Sequence, residues 1–81
     1  MLNYDIYKEL EYLEKYLAQD GQTGLVVSLK DAVSCGSTGT EIFMHVRYIL
    51  KKFIKANCTI NPSTQRKVKE IVEYLDRILD S

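Results

Sequence analysis

The sequence contains little proline, glycine and cysteine, and it has no long apolar run. One proline and four glycines in 81 residues favour helices over a turn-rich β fold. The longest apolar runs are three residues, such as 42–44, so no segment is predicted to span a membrane. Two cysteines are too few for the disulfide framework of a small secreted protein, and the first residues do not resemble a secretory signal. These features predict a cytoplasmic protein with reduced thiols.

The apolar content is sufficient for one small core, and the charges are unevenly distributed. At 46% apolar and 27% charged residues, the chain is predicted to form a single helical domain over residues 1–81. The formal net charge is zero, but residues 1–20 carry a net charge of −3 and residues 41–60 carry +3. Such a chain does not coat nucleic acid through bulk charge, but it can present an acidic and a basic face to different partners.

Apolar spacing and capping residues predict two helices in the first half of the chain. Residues 4–19 form the first, with Asn3 as its N-cap and Asp20-Gly21 at its end. Residues 24–34 are predicted to form a short helix, although the apolar triplet at its start would also suit a strand. No second β-rich run exists to pair with such a strand, so the helix is favoured.

Two longer helices are predicted in the second half. Residues 40–56 follow a capping box formed by Thr38 and Glu41. Residues 62–79 follow Asn61 as the N-cap and have a proline at the first helical position. The predicted fold is therefore all-α, an antiparallel bundle of three long helices and one short helix.

The first helix is rich in tyrosine and carboxylate. Residues 3–20 hold four of the six tyrosines and five of the eleven carboxylates. At about 100° per residue, two carboxylates and two tyrosines fall on one stripe beside the apolar stripe. Tyrosine offers a rigid apolar face with one hydroxyl, and carboxylates attract a cationic partner, so we predict a protein-binding face. The alternative is that the tyrosines pack on neighbouring helices and the acids are only solvated. The predicted partner-binding residues, with the last two as rim charges, are Asp5, Glu9, Tyr12, Tyr16, Glu11 and Asp20.

The outward face of the third helix is basic and supports an alternative function. Aromatic and basic side chains together bind single-stranded nucleic acid, which would suit a small regulatory protein. Cations at a helix end are also commonly solvated, and some of these are expected to pair with acids of the first helix. A structural module that self-associates through exposed tyrosine and methionine is a third hypothesis. The alternative basic face consists of Arg47, Tyr48, Lys51 and Lys55.

No residue pattern predicts catalysis or a bound metal ion. His45 has no nucleophile and acid arranged around it in sequence, and we expect a structural role at the border of the core. Together with Cys35 and Cys58 it lacks the paired spacing and the fourth ligand of a zinc site, and the cysteines are expected to be buried or half-buried. Residues 35–41 lack the lysine and the preceding strand of a phosphate-binding loop. The chain is predicted to be no enzyme, with no cofactor, no metal ion and no small-molecule ligand.

A helical bundle of this length with an acidic, tyrosine-bearing helix resembles the small helical immunity proteins of bacteria. The stretch GSTGTEIFMHVRYILKKFI, residues 36–54, is similar to segments of those proteins. They accompany colicins, contact-dependent growth inhibition toxins and other polymorphic toxins, and each binds one cognate toxin domain, often a nuclease. The resemblance implies bacteriocin-type immunity, in which a toxin inhibitor acts by protein–protein interaction. In colicin DNase inhibitors the acids and paired tyrosines surround the second and third helices, whereas here they lie on the first, so the binding face is placed from this sequence alone.

Overall fold

A computed structural model of the chain describes residues 5–56 and 60–80. Over these ranges the chain is all-α, which confirms the predicted fold class, and the segment that would also have suited a strand is helical. None of the described helices is both long and apolar enough to cross a bilayer. The helix that was predicted to be short, the second, has 13 residues and is only one residue shorter than the first. The four helices are α1 (Ile6–Gln19), α2 (Thr23–Cys35), α3 (Gly39–Lys55) and α4 (Pro62–Leu79).

The end of α1 is fixed by the backbone. The N–H of Gly21 donates to the carbonyl of Ala18 at 3.1 Å, and the N–H of Gln22 donates to that of Leu17 at 2.8 Å. This pair of bonds is the Schellman arrangement, which needs a left-handed residue after the helix. Gly21 has φ of 79°, a conformation that glycine adopts without steric cost. The predicted end of the first helix is therefore confirmed.

The other predicted caps lie at the starts of α3 and α4. The hydroxyl of Thr38 accepts from the N–H of Glu41 at 3.2 Å. The side-chain oxygen of Asn61 accepts from the N–H of Ser63 at 3.1 Å, and the proline takes the first position of α4. The predicted cap Asn3 lies outside the described residues, and α1 begins at Ile6 with Asp5 as its N-cap.

The helices form a ring in which α1 contacts α2 and α4, and α3 contacts the same two helices. Within the described ranges α1 and α3 share no close backbone contact, so they lie on a diagonal of the bundle. Neighbouring helices run antiparallel. Asp20, at the end of α1, accepts at 3.1 Å from the N–H of Asn61, at the start of α4. Arg47 of α3 pairs with Asp80, and Lys51, one turn later, pairs with Asp76, one turn earlier in α4.

The core is made from one apolar stripe on each helix. Each buried leucine contributes about 1.5–3 kcal/mol through the apolar surface that it removes from water. Since α1 places three leucines in this core, its position and rotation are fixed, and so is the direction in which its outer side chains point. The side chains that are at most 2% exposed include Leu10, Leu13, Leu17, Leu29, Ala32, Val46, Leu50, Val68, Ile71 and Leu75.

Candidate partner-binding surface

The outer stripe of α1 that adjoins α4 consists of Asp5, Glu9, Tyr12 and Tyr16, and we call it the acid–tyrosine strip. Tyr12 is 44% exposed and Tyr16, one turn later, is 38% exposed. Among the described residues neither hydroxyl has a hydrogen-bond partner. The ammonium group of Lys15 lies 5.9 Å from the ring centre of Tyr12. Both phenols are therefore accessible to another molecule.

Asp5 has a structural role as well as a charge. One of its carboxylate oxygens, Oδ1, accepts from the backbone N–H of Lys8 at 3.3 Å, which makes Asp5 the N-cap of α1. A carboxylate at this position also interacts favourably with the helix dipole. The side chain remains exposed. A substitution at Asp5 therefore alters the stability of α1 together with the charge of the strip.

Glu9 is held by a cation of α4. The Nζ of Lys67 lies 2.6 Å from Oε1 of Glu9 and 3.3 Å from Oε2 of Glu70. The hydrogen bond with Glu9 raises the pKa of Lys67, burial opposes that rise, and the hydrogen bond with Glu70 adds to it. One cation between two carboxylates leaves this cluster of three side chains net negative.

Lys67 was not among the residues predicted to belong to this surface. A signal for it does exist in the sequence. Lys67 immediately precedes the buried Val68, which places it on a flank of α4, and Glu70 follows it at the spacing of a helical neighbour. What the sequence does not show is that this flank lies against α1.

The two predicted rim charges lie in different places. Asp20 is at the end of α1, where its carboxylate binds the backbone of Asn61. Glu11 lies on the opposite flank of α1, in a groove that α1 shares with α2. The structure therefore brings the four residues of the acid–tyrosine strip together beside α4, and it separates Glu11 from them.

The groove between α1 and α2 contains a second carboxylate that the sequence analysis did not select. Glu14 is half-buried there, near Lys30 and Glu11. Burial raises the pKa of Glu14, Lys30 lowers it, and Glu11 raises it further. Tyr7 also lines the groove, and its ring lies 5.8 Å from the ring of Phe43. A half-buried glutamate one residue after Leu13 was predictable in principle, but its neighbours on α2 were not.

The alternative basic face is partly neutralised by α4. Nη1 of Arg47 lies 3.2 Å from Oδ1 of Asp76 and 3.1 Å from Oδ1 of Asp80, and Nζ of Lys51 lies 3.0 Å from Oδ1 of Asp76. The hydrogen bond with Asp80 raises the pKa of Arg47, and the hydrogen bond with Lys51 lowers the pKa of Asp76. The prediction that some of these cations pair with acids of the first helix is wrong for the described residues, because α3 lies diagonally across the bundle from α1.

The rest of that face is open to solvent. Tyr48 is 63% exposed, and the ammonium group of Lys52 lies 6.0 Å from the centre of its ring. Lys55 is exposed in the last turn of α3. Neither lysine has an ion-pair partner within the described part of the chain.

Two predictions about single residues are corrected. His45 and Cys35 are both exposed, because the core takes Val46 from α3 and Ala32 from α2. Cys58 lies outside the described residues. Across the ranges 5–56 and 60–80, His, Cys, Asp and Glu side chains do not gather in any group of three that could hold a metal ion.

Neither a protein-family model, nor a curated protein, nor a solved structure shows a significant match to this chain.

Proposed function

We propose that this chain is an immunity protein, which binds and neutralises a cognate bacterial toxin domain in the cytoplasm. The observation that carries the proposal is the exposure of Tyr12 and Tyr16, one turn apart, beside carboxylates on a well-anchored helix. Exposed tyrosines of this kind bury a large area on binding and lose little conformational entropy. The inhibitor performs no chemistry of its own.

The charges of the surface favour a cationic partner. A toxin that is a nuclease needs cationic side chains to hold phosphate groups. The carboxylate of Asp5 and the net negative cluster of Glu9, Lys67 and Glu70 take the place of those phosphates. The two tyrosines supply apolar contact. Opposite charges accelerate the encounter and select against other partners.

The fixed position of α1 lowers the cost of binding. Its leucines are buried, its end is closed by the Schellman bonds, and two polar contacts hold it against α4, namely Glu9–Lys67 and Asp20–Asn61. A surface that is already in its bound conformation loses less entropy when the partner docks. This supports an inhibitor that docks as a rigid body.

To test this, the gene directly upstream of the gene for this chain is taken, and the C-terminal domain of its product is expressed in bacterial cells. We expect the domain to arrest growth alone and the wild-type chain to restore growth. A double variant, Tyr12→Ser with Tyr16→Ser, should lose protection and bind the domain about 100-fold more weakly, as expected for two hot-spot residues. Tyr48→Ser is the control, since it removes a still more exposed tyrosine from another helix, and it should protect fully.

Tyrosine variants are better probes of this surface than charge reversals. A reversal at Asp5 removes the cap of α1, which costs about 0.5–2 kcal/mol, and one at Glu9 breaks the pair with Lys67. Circular dichroism should show the same helicity for the double tyrosine variant and the wild type. A non-toxic upstream domain, or full protection by the double variant, would overturn the proposal.

Nucleic-acid binding through α3 is less well supported. Arg47 and Lys51 are already paired with carboxylates of α4, which leaves Lys52 and Lys55 as its unpaired cations in the described chain. A gel retention assay at low salt tests this function. Binding that weakens steeply with salt, and also on removal of Lys52 and Lys55, would favour it over the immunity function.

A further inference from the structure

A shallow groove of about 340 Å³ lies between the start of α2 and the end of α3, on the edge of the bundle opposite the acid–tyrosine strip. We propose that this groove, the α2–α3 groove, is a second docking site, which takes an acidic amphipathic helix of a partner protein. The inference is independent of the proposed function, because it uses none of the residues of the strip. The residues that define it are Gly24, Leu25, Tyr48, Ile49, Lys52 and Phe53.

The floor of the groove is apolar and rigid. Leu25, Ile49 and Phe53 are half-buried and pack against the core, so they do not rearrange freely. Tyr48 stands beside them as the most exposed large apolar side chain of the described chain. An apolar groove between two helices is the surface on which an amphipathic helix lays its apolar face.

The charge of the groove favours acidic flanks on that helix. Lys52 lies on its rim, and none of the described residues that line it is a carboxylate. The first turn of α2 also faces it, and this is the only described helix whose N-cap makes no side-chain hydrogen bond. Uncapped N–H groups at a helix start favour a negative neighbour. The negative end of α3 is close by, but Lys52 and Lys55 in its last turn counter it.

Gly24 gives a further reason to expect a close neighbour. It is helical, its φ is not positive, and a Cβ at this position would meet no atom of the chain within 4 Å. Neither the backbone nor the packing of this protein therefore requires a glycine here, and alanine is the better helix former. The missing side chain exposes the backbone of α2 along the groove, where a docked helix can approach it closely.

The test selects random helical peptides, displayed on phage, against the full chain. We expect enriched peptides to carry apolar residues at helical spacing, flanked by Asp and Glu. Added to the ¹⁵N-labelled chain, a synthetic copy of an enriched peptide should shift the amide signals of Gly24, Leu25 and Lys52. The amide signals of Tyr12 and Tyr16 should not move.

Two variants and a matched control show whether the groove causes the binding. Gly24→Ala should raise Tm slightly and yet weaken peptide binding about tenfold or more, and Lys52→Glu should weaken it to a similar extent. Gly39→Ala is the control, because Gly39 is also helical with open space around its Cα but lies outside the groove. It should leave the affinity unchanged.

Several outcomes would overturn the inference. In the selection, these are a failure to enrich any peptide and the enrichment of basic peptides. In the later measurements, they are a peptide affinity that neither groove variant changes, and groove signals that shift with protein concentration alone or with an oligonucleotide. Signals that shift with protein concentration would assign the groove to a second copy of the chain, and signals that shift with an oligonucleotide would assign it to nucleic acid. A failed toxin rescue would leave peptide binding intact, so the two proposals fail separately.

Discussion

Gly36 is required by the space around it rather than by its backbone conformation. Its φ of −72° and ψ of 138° are open to any residue. A Cβ at this position, however, would overlap Cγ1 of Ile42 and lie 3.3 Å from the carbonyl oxygen of Ala32. The junction between α2 and α3 can therefore be this tight only if position 36 has no side chain.

We expect Gly36→Ala to lower the free energy of unfolding by about 1–3 kcal/mol, because Ile42 must move out of the space that it fills. Urea denaturation measures the loss. Gly39→Ala, three residues later, adds the same methyl group where nothing lies within 4 Å, and it should cost nothing. Equal urea midpoints for the two variants would show that the junction can relax.

Glu14 provides a prediction that depends on pH. Since burial raises its pKa in the folded chain above the unfolded value of 4.5, the folded state favours the protonated form. The penalty is absent below that value, grows as the pH rises through the window between the two pKa values, and is complete at neutral pH. Glu14→Gln should therefore stabilise the protein at pH 7, by less than about 1 kcal/mol because the group is partly solvated, and should have no such effect at pH 3.

Urea denaturation at both pH values measures this gain for Glu14→Gln. Glu73→Gln, a change at an exposed glutamate of α4, is the control and should show no gain. If Glu14→Gln instead destabilised the protein at pH 7, the attraction to Lys30 would be stronger than the penalty of burial.

At the scale of helices, the contact between α1 and α4 includes an ion pair that is better shielded from solvent than the ion pairs between α3 and α4. The side chains of Glu9 and Lys67 are 21% and 20% exposed, whereas Asp80 of the Arg47 pair is 64% exposed. A double-mutant cycle with Glu9→Gln and Lys67→Met should give a coupling energy of about 1 kcal/mol. The matching cycle with Arg47→Met and Asp80→Asn should give a smaller coupling energy, because Asp80 is largely solvated. Similar values in the two cycles would mean that shielding is not what distinguishes them.

The helix starts were predictable where a second signal accompanies the capping residue, namely Glu41 three residues after Thr38 and a proline directly after Asn61. The starts of α3 and α4 follow Thr38 and Asn61, and both residues cap their helices. Of the predicted capping box, the described residues show the bond to the hydroxyl of Thr38 but not the return bond to Glu41. At α1 the sequence offers two suitable caps, Asn3 and Asp5, and local pattern does not distinguish between them. For α2, residues 24–34 were predicted, and the helix extends one residue further at each end. Its N-cap is Gln22, and glutamine has a weaker propensity for that position than Ser, Thr, Asp or Asn.

At the scale of the whole molecule, the orientation of side chains was predictable and their partners were not. The helical period fixes which side of α1 meets the core, so Tyr12 and Tyr16 were placed outside it correctly. The Glu9–Lys67 pair joins residues 58 positions apart. Which helices are neighbours is decided by the packing of all four, and the apolar stripes alone do not encode that order.

The diagonal placement of α1 and α3 also affects how the molecule approaches other charged surfaces. The net charges of −3 in residues 5–20 and +3 in residues 41–56 lie on opposite corners of a body measuring 31 × 29 × 22 Å, and Asp76 and Asp80 of α4 weaken the positive end. A neutral protein with this dipole feels a torque rather than a net pull, and it rotates to point α1 at an incoming positive surface. Because the screening length in physiological salt is about 8 Å, that rotation occurs only when the two surfaces are within roughly this distance of each other.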